Sequence, residues 1–258
     1  MSSKGTLFER ISNRLVRHIP TKRVNVQTRT PIVSFTFDDI PQTASSAGAQ
    51  ILEDAGGKGT FYISASFIDT VDNGEQMATT ADCRELAARG HELACHTYSH
   101  RKLISFSKQE LDNDLTRNGE VLSSFDHGQT PRNFSVPFGK AYLPSQPTLK
   151  RRFRSSRGIL PGVNRENTDL YHLLAVELRP DPHFLETADY WLNSAIENPG
   201  WLIFFTHDVS DNPSFYGCPR ERLQSLVQRS VAAGCRILTV DAALEELGLV
   251  EAKRAAKV

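Results

Sequence analysis

The sequence has no net charge: 30 Lys and Arg stand against 30 Asp and Glu in 258 residues. That balance offers no basic face to a phosphate backbone, so nucleic acid is not an expected partner. Cysteine is scarce. Cys83, Cys95, Cys218 and Cys235 form no CxxC pair and read as buried free thiols rather than a disulfide framework. No apolar run nears the roughly 20 residues of a membrane span. The N-terminal segment lacks the unbroken apolar core of a secretory signal, since Glu9, Arg10, Asn13 and Arg14 interrupt it, and a cytoplasmic location is expected. No repeat, low-complexity tract or Gly/Ser linker divides the chain. Its length and 39% hydrophobic content suit one large α/β domain.

What is present begins with a local asymmetry. Up to Pro31, Lys4, Arg10, Arg14, Arg17, Lys22, Arg23 and Arg29 face one acid, Glu9, while Leu7, Phe8, Ile11, Leu15 and Ile19 recur at helical spacing. Residues 1–30 are thus a basic amphipathic arm. Such a helix can lie on an anionic membrane surface, but a helix that packs on the domain or frays in solvent is the expectation. The domain itself is assigned to residues 31–247, with a polar tail over 248–258.

Within the domain, apolar runs alternate with helical patterns. Runs at 32–37, 60–63, 92–95, 133–136, 153–155, 201–206 and 236–240 read as strands, and 173–178 is one further apolar run in a region, 158–182, punctuated by Pro and Gly. Helical patterns lie between most of them, and Asp241 is a candidate cap for a last helix. Repeated βα alternation predicts a parallel sheet or a small irregular barrel of six to eight strands.

Three of these strands end alike. Ile32–Phe37 runs into Asp38-Asp39, Glu92–Cys95 into His96 with His100 four residues on, and Trp201–Thr206 into His207. In a parallel barrel the C-terminal strand ends surround the active site, so these groups converge. Adjacent carboxylates point different ways, so one can bind a metal while the other accepts a proton; an Asp at a βα turn also serves as a helix cap. Two imidazoles and a carboxylate form a three-ligand site with a position open for water. A histidine at a strand end, such as His207, can act as a general acid toward a leaving amine.

The order Thr36-Phe37-Asp38-Asp39, Gly59-Thr60-Phe61-Tyr62, His96-Thr97-Tyr98-Ser99-His100 and Phe205-Thr206-His207 resembles the polysaccharide deacetylases of the NodB-homology type, carbohydrate esterase family four. The resemblance covers roughly Pro31 to Leu247. It implies a distorted (β/α) barrel of about seven parallel strands that removes N-acetyl groups from an acetamido sugar or an oligo- or polysaccharide, such as a chitooligosaccharide. It also implies Asp38 as general base, His207 as general acid, and Asp39, His96 and His100 as ligands of a divalent metal. Zinc is expected, with cobalt, nickel or manganese also compatible with the donor set.

The third motif departs from the family. Ser135-Val136-Pro137-Phe138 stands where Arg-x-Pro-Tyr is usual, leaving the Pro137-Phe138 backbone to serve the oxyanion but removing the Arg that orients the base. Arg154 or Arg157 is the expected replacement. The usual aspartate partner of the catalytic histidine has no evident counterpart. Two alternatives follow: a hydrolase of small or cyclic amides resembling allantoinases and imidases, and a carbohydrate-binding relative with weakened turnover. The loop Asp208 to Cys218, with Phe215 and Tyr216, is expected to wall the cleft.

Overall fold

A computed structural model describes residues 7–250, with side chains from Ile11 onward apart from Arg17 and His18. Lys4 of the basic arm and the tail from residue 251 lie outside the described residues. Seven strands run parallel: β1 (Ile32–Asp39), β2 (Thr60–Ile63), β3 (Glu92–Cys95), β4 (Asn133–Ser135), β5 (Ser155–Arg157), β6 (Val176–Glu177) and β7 (Trp201–Thr206). Their order in the sheet is β6-β7-β1-β2-β3-β4-β5. A short strand, β8 (Arg236–Ile237), lies parallel to the start of β1, below the point where β2 joins it.

The segment 170–178 joins the two outer strands. Leu173 N–H donates to Ser156 O at 3.0 Å and Leu178 N–H to Phe205 O at 2.8 Å, so one stretch bonds both the β5 and the β7 sides. The sheet therefore curls into the distorted (β/α) barrel that the resemblance implies. The last strand pair is reduced to a bridge between Arg157 and Leu173.

Strand periodicity explains the two faces. Val33, Phe35, Phe37, Phe61, Ile63, Leu202 and Phe204 belong to one buried apolar cluster shared with the helices. Phe37 stacks on Phe61 at 4.8 Å and Phe35 on Phe204 at 5.4 Å. The alternate residues point inward, and many are polar and fully buried: Ser34, Thr36, Thr60, Asn133, Ser155 and Arg157. Such an interior is stable only if its polar atoms are paired. Thr36 Oγ1 donates to Phe204 O at 2.9 Å, Trp201 Nε1 to Ser34 Oγ at 2.9 Å, and Ser155 Oγ to Asn133 Oδ1 at 2.8 Å.

The helices are α1 (Leu7–His18), α2 (Ala49–Asp54), α3 (Thr80–Ala88), α4 (Lys108–Ser123), α5 (Gln146–Arg152), α6 (Pro182–Glu197), α7 (Arg220–Ala232) and α8 (Val240–Glu246). Thr79 with Asp82 and Ser107 with Glu110 form reciprocal capping boxes at α3 and α4. The cap of α8 is Thr239, whose Oγ1 accepts from Ala242 N–H at 3.1 Å, and not Asp241 as the sequence suggested. Asp241 turns instead into a polar cluster at the N-terminal end of the barrel.

That cluster centres on Glu92, which accepts from Thr60 Oγ1 at 2.9 Å, Asn133 Nδ2 at 2.6 Å and Asp241 N–H at 2.9 Å. Burial, and next the Asp241 charge, push its carboxyl up to about 7. A raised folded value means that the folded chain holds this proton longer than the unfolded chain does. The stabilising contribution is then present below about 4.5 and is lost as pH rises through about 7. Glu92→Gln, which does not titrate, should gain on the wild type by up to about 3 kcal/mol between pH 5 and 8. Denaturant unfolding of both proteins at the two pH values checks this, and a pH-independent difference rejects it.

Candidate metal and catalytic site

At the opposite end of the barrel, β1 runs through Asp38 and turns at Asp39. Asp38 keeps the inward direction of its strand, paired in register with Tyr62. Asp39 takes φ 67° and Ile40 φ 80°, a left-handed pair that swings the second carboxylate up to the rim. This conformation is costly for residues with a Cβ, and it recurs at Thr97, His100 and Phe138 around the same opening.

Asp39 faces three imidazoles. Its Oδ1 lies 3.1 Å from His100 Nε2 and 3.5 Å from His96 Nε2, and its Oδ2 lies 3.7 Å from His207 Nε2. Asp39 Oδ1 is buried without a hydrogen-bond donor. The ligand atoms of Asp39, His96 and His100 all lie within 4.8 Å of one another, which suits one ion. His96 Nδ1 sits 2.9 Å from Ser135 O and 2.5 Å from Ser135 Oγ, so Ser135 holds that nitrogen and the ring turns Nε2 toward Asp39. Burial pushes His96 down to about 4, so it is neutral at neutral pH and able to ligate.

Helix α4 holds the His96–His100 loop. Asp114 accepts from Tyr98 N–H at 2.7 Å, Ser99 N–H at 3.2 Å and Ser99 Oγ at 2.5 Å. Asn118 donates to Ile63 O at 3.0 Å and accepts from Ala65 N–H at 2.9 Å, tying the end of β2 to the same helix. Neither residue stands out in the sequence at first sight. The signal is that Asn118 falls in the 3–4 spacing of Leu111, Leu115 and Leu122, a polar residue on a core face.

Below the rim, Asp38 is buried against Arg157. Arg157 Nη2 reaches Asp38 Oδ1 at 2.6 Å and also contacts Oδ2, while Nη1 donates to Gly158 O at 3.0 Å. The guanidinium lies over Phe205 at 4.4 Å and Tyr62 at 5.2 Å. Burial alone pushes the Asp38 carboxyl up, but Arg157, then His96 and His207, outweigh it and hold it below the usual 3.8. Arg154 turns the other way. Its Nη1 bonds Asp241 Oδ1 at 2.9 Å and Glu245 Oε1 at 2.8 Å in the cluster at the far end, so it does not reach Asp38.

The remaining groups frame the opening. His207 Nδ1 is 3.3 Å from Tyr216 O, and the two rings lie 5.5 Å apart. Asp208 anchors this loop, accepting from Ser214 N–H at 2.9 Å and Oγ at 2.5 Å. Gly217 is required beside it, since a Cβ there would fall 2.1 Å from Asp208 Oδ1. Phe138, Phe215 and Tyr216 are half or more exposed, and the Phe138 ring packs on His100 at 4.5 Å. A hairpin over residues 71–76 adds Glu75, a half-buried residue absent from the sequence-based candidates. Its carboxyl is pushed up to about 7 by burial and then by the Asp208 charge. Met77, two residues on, is bridged to Pro41 beside the Asp39 turn.

The family model for polysaccharide deacetylases matches residues 25–151. Over 115 residues the chain is 25% identical to a chitin deacetylase of Arthroderma benhamiae, covering 45% of this chain and 30% of that protein. A second protein of that organism is 27% identical over 112 residues and is spanned for 24% of its length. The chain thus spans under a third of these curated relatives. A family 4 acetyl xylan esterase from Clostridium thermocellum, solved with a cobalt ion, superposes with a TM-score of 0.57 at 21% identity, covering 84% of this chain and 92% of that one. A peptidoglycan deacetylase of Bacillus subtilis superposes with a TM-score of 0.53 at 17% identity, covering 87% and 94%. These likenesses concern the fold.

Proposed function

We propose that this chain, a member of the polysaccharide deacetylase family, hydrolyses the N-acetyl group of an acetamido sugar with a divalent metal held by Asp39, His96 and His100. The carrying observation is the donor set itself. One carboxylate oxygen without a hydrogen-bond donor faces two imidazole Nε2 atoms, and the more buried imidazole has its other nitrogen held by Ser135. The donor set suits zinc, and cobalt, the ion in the Clostridium thermocellum esterase, fits it equally. When bound there, a divalent cation supplies a Lewis acid for the acetyl carbonyl and a water of lowered pKa.

The chain's own residues divide the remaining work. Asp38, kept anionic and oriented by Arg157 Nη2, accepts the proton of the attacking water. Arg157 thereby takes the place of the Arg absent from the third motif; it acts through Asp38 and is a positioning residue. The Phe138 backbone N–H is the candidate donor to the developing oxyanion. His207, with Nδ1 turned to Tyr216 O and Nε2 toward Asp39, delivers a proton to the departing sugar amine. The exposed rings of Phe138, Phe215 and Tyr216 offer stacking faces for a sugar, which supports a carbohydrate over a small cyclic amide.

Removal of the metal is the test. Dialysis against a chelator should abolish acetate release from N-acetylglucosamine oligomers without unfolding the chain, and zinc or cobalt should restore it to the wild type but not to His96→Ala. Undiminished turnover by protein proven metal-free would reject the assignment.

A further inference from the structure

We propose that the outer face of α1 docks the protein on the surface of an anionic lipid bilayer. The helix has two faces with different fates. On one, Ser12 Oγ accepts from Leu143 N–H at 2.9 Å, Asn13 Oδ1 accepts from Ala141 N–H at 3.1 Å, and Val16 is buried. The helix is therefore fixed to the domain, the first of the two expected outcomes. That attachment does not use its whole apolar surface. Ile11, Leu15 and Ile19, spaced by four, remain 48%, 39% and 50% exposed. Ile11 and Leu15 lie one turn apart on the helix, and Ile19, just past its end with its N–H on Leu15 O at 2.8 Å, continues the strip.

Charge identifies the occupant. Arg14 is exposed beside the strip, and Lys22 and Arg23 are exposed just beyond its end. Seven of the chain's 30 cations and one of its 30 acids precede Pro31, so the rest carries 23 Lys and Arg against 29 Asp and Glu. A positive arm on a negative body is drawn to an anionic surface by the arm alone. A second copy is a poor occupant, because matching strips would bring two basic arms together. Among the described residues no helix is long and apolar enough to cross a membrane, so the geometry is that of a helix lying in the interface. The attached face ties the helix to the chain just beyond the candidate site: α1 is bonded to Ala141 and Leu143, shortly after Phe138 at the opening.

Flotation of the full chain with lipid vesicles tests this, whether or not the chain is a deacetylase. The wild type should float with phosphatidylcholine vesicles containing phosphatidylglycerol, remain behind with phosphatidylcholine alone, and be released by high salt. Ile11→Ser/Leu15→Ser/Ile19→Ser should weaken binding at least tenfold. Arg14→Gln/Lys22→Gln/Arg23→Gln should weaken it by about a hundredfold. Both variants should keep the wild-type thermal midpoint. Failure of the wild type to float with anionic vesicles overturns the proposal, as does equal binding by both variants. A dimer in light scattering that the serine variant splits also overturns it, by assigning the strip to a second copy.

Discussion

Asp38→Asn is expected to lower acetate release by about a thousandfold, within the range typical of a positioned general base, while metal content stays at the wild-type level. The two effects separate because the adjacent carboxylates point apart. Asp38 is turned inward to Arg157, and Asp39 is turned up to His96 and His100 by its positive φ. Asp39→Asn should show the reverse order of events, losing the metal first and turnover with it. Metal analysis beside initial rates reads both. Loss of metal from Asp38→Asn would mean that the two aspartates do not divide the work in this way.

Arg157→Ala is expected to lower turnover by about a hundredfold and stability by about 3–5 kcal/mol, because it leaves Asp38 as an uncompensated buried charge. Arg157→Lys keeps the charge but loses the second nitrogen that fixes the guanidinium on Gly158 O, and should fall between wild type and Ala. The informative protein is the double variant Asp38→Asn/Arg157→Ala. If the two groups act as one unit, its rate is close to that of Asp38→Asn alone, and its stability exceeds that of Arg157→Ala. Additive losses in rate would make Arg157 a structural residue only. Arg154→Ala should leave turnover unchanged, since its guanidinium is held by Asp241 and Glu245.

The contrast between these two arginines marks where sequence reasoning ran out. Both flank one short strand, and the apolar pattern placed that strand at 153–155 instead of Ser155–Arg157. A two-residue error in a three-residue strand changes which residues reach the barrel's top. Arg154 precedes the strand and Arg157 ends it, about 10 Å apart along the strand axis, which separates one end of the barrel from the other. The ends of β1, β3 and β7 were legible because each motif sits directly after a strongly apolar run, and strand ends in a parallel barrel converge by construction.

Other parts were hidden for different reasons. Asp114 and Asn118 belong to a helix whose leucines account for its periodicity, so its polar residues read as surface. Glu75 reaches the rim from a two-residue turn at Asn73-Gly74, both at positive φ, in a stretch with no apolar period at all. Asp241 looked like a cap because acids favour first turns, but Thr239 precedes it and the carboxylate is committed to Arg154.

The most direct measurement is acetate released from N-acetylglucosamine oligomers of increasing length by the zinc-loaded chain, with metal content determined in the same sample and Asp38→Asn run beside it. Acetate from the wild type, and about a thousandfold less from Asp38→Asn at equal metal content, is the predicted result. Full metal occupancy with no acetate from any oligomer would contradict the account and leave a metal-binding barrel whose substrate is not an N-acetylated sugar chain.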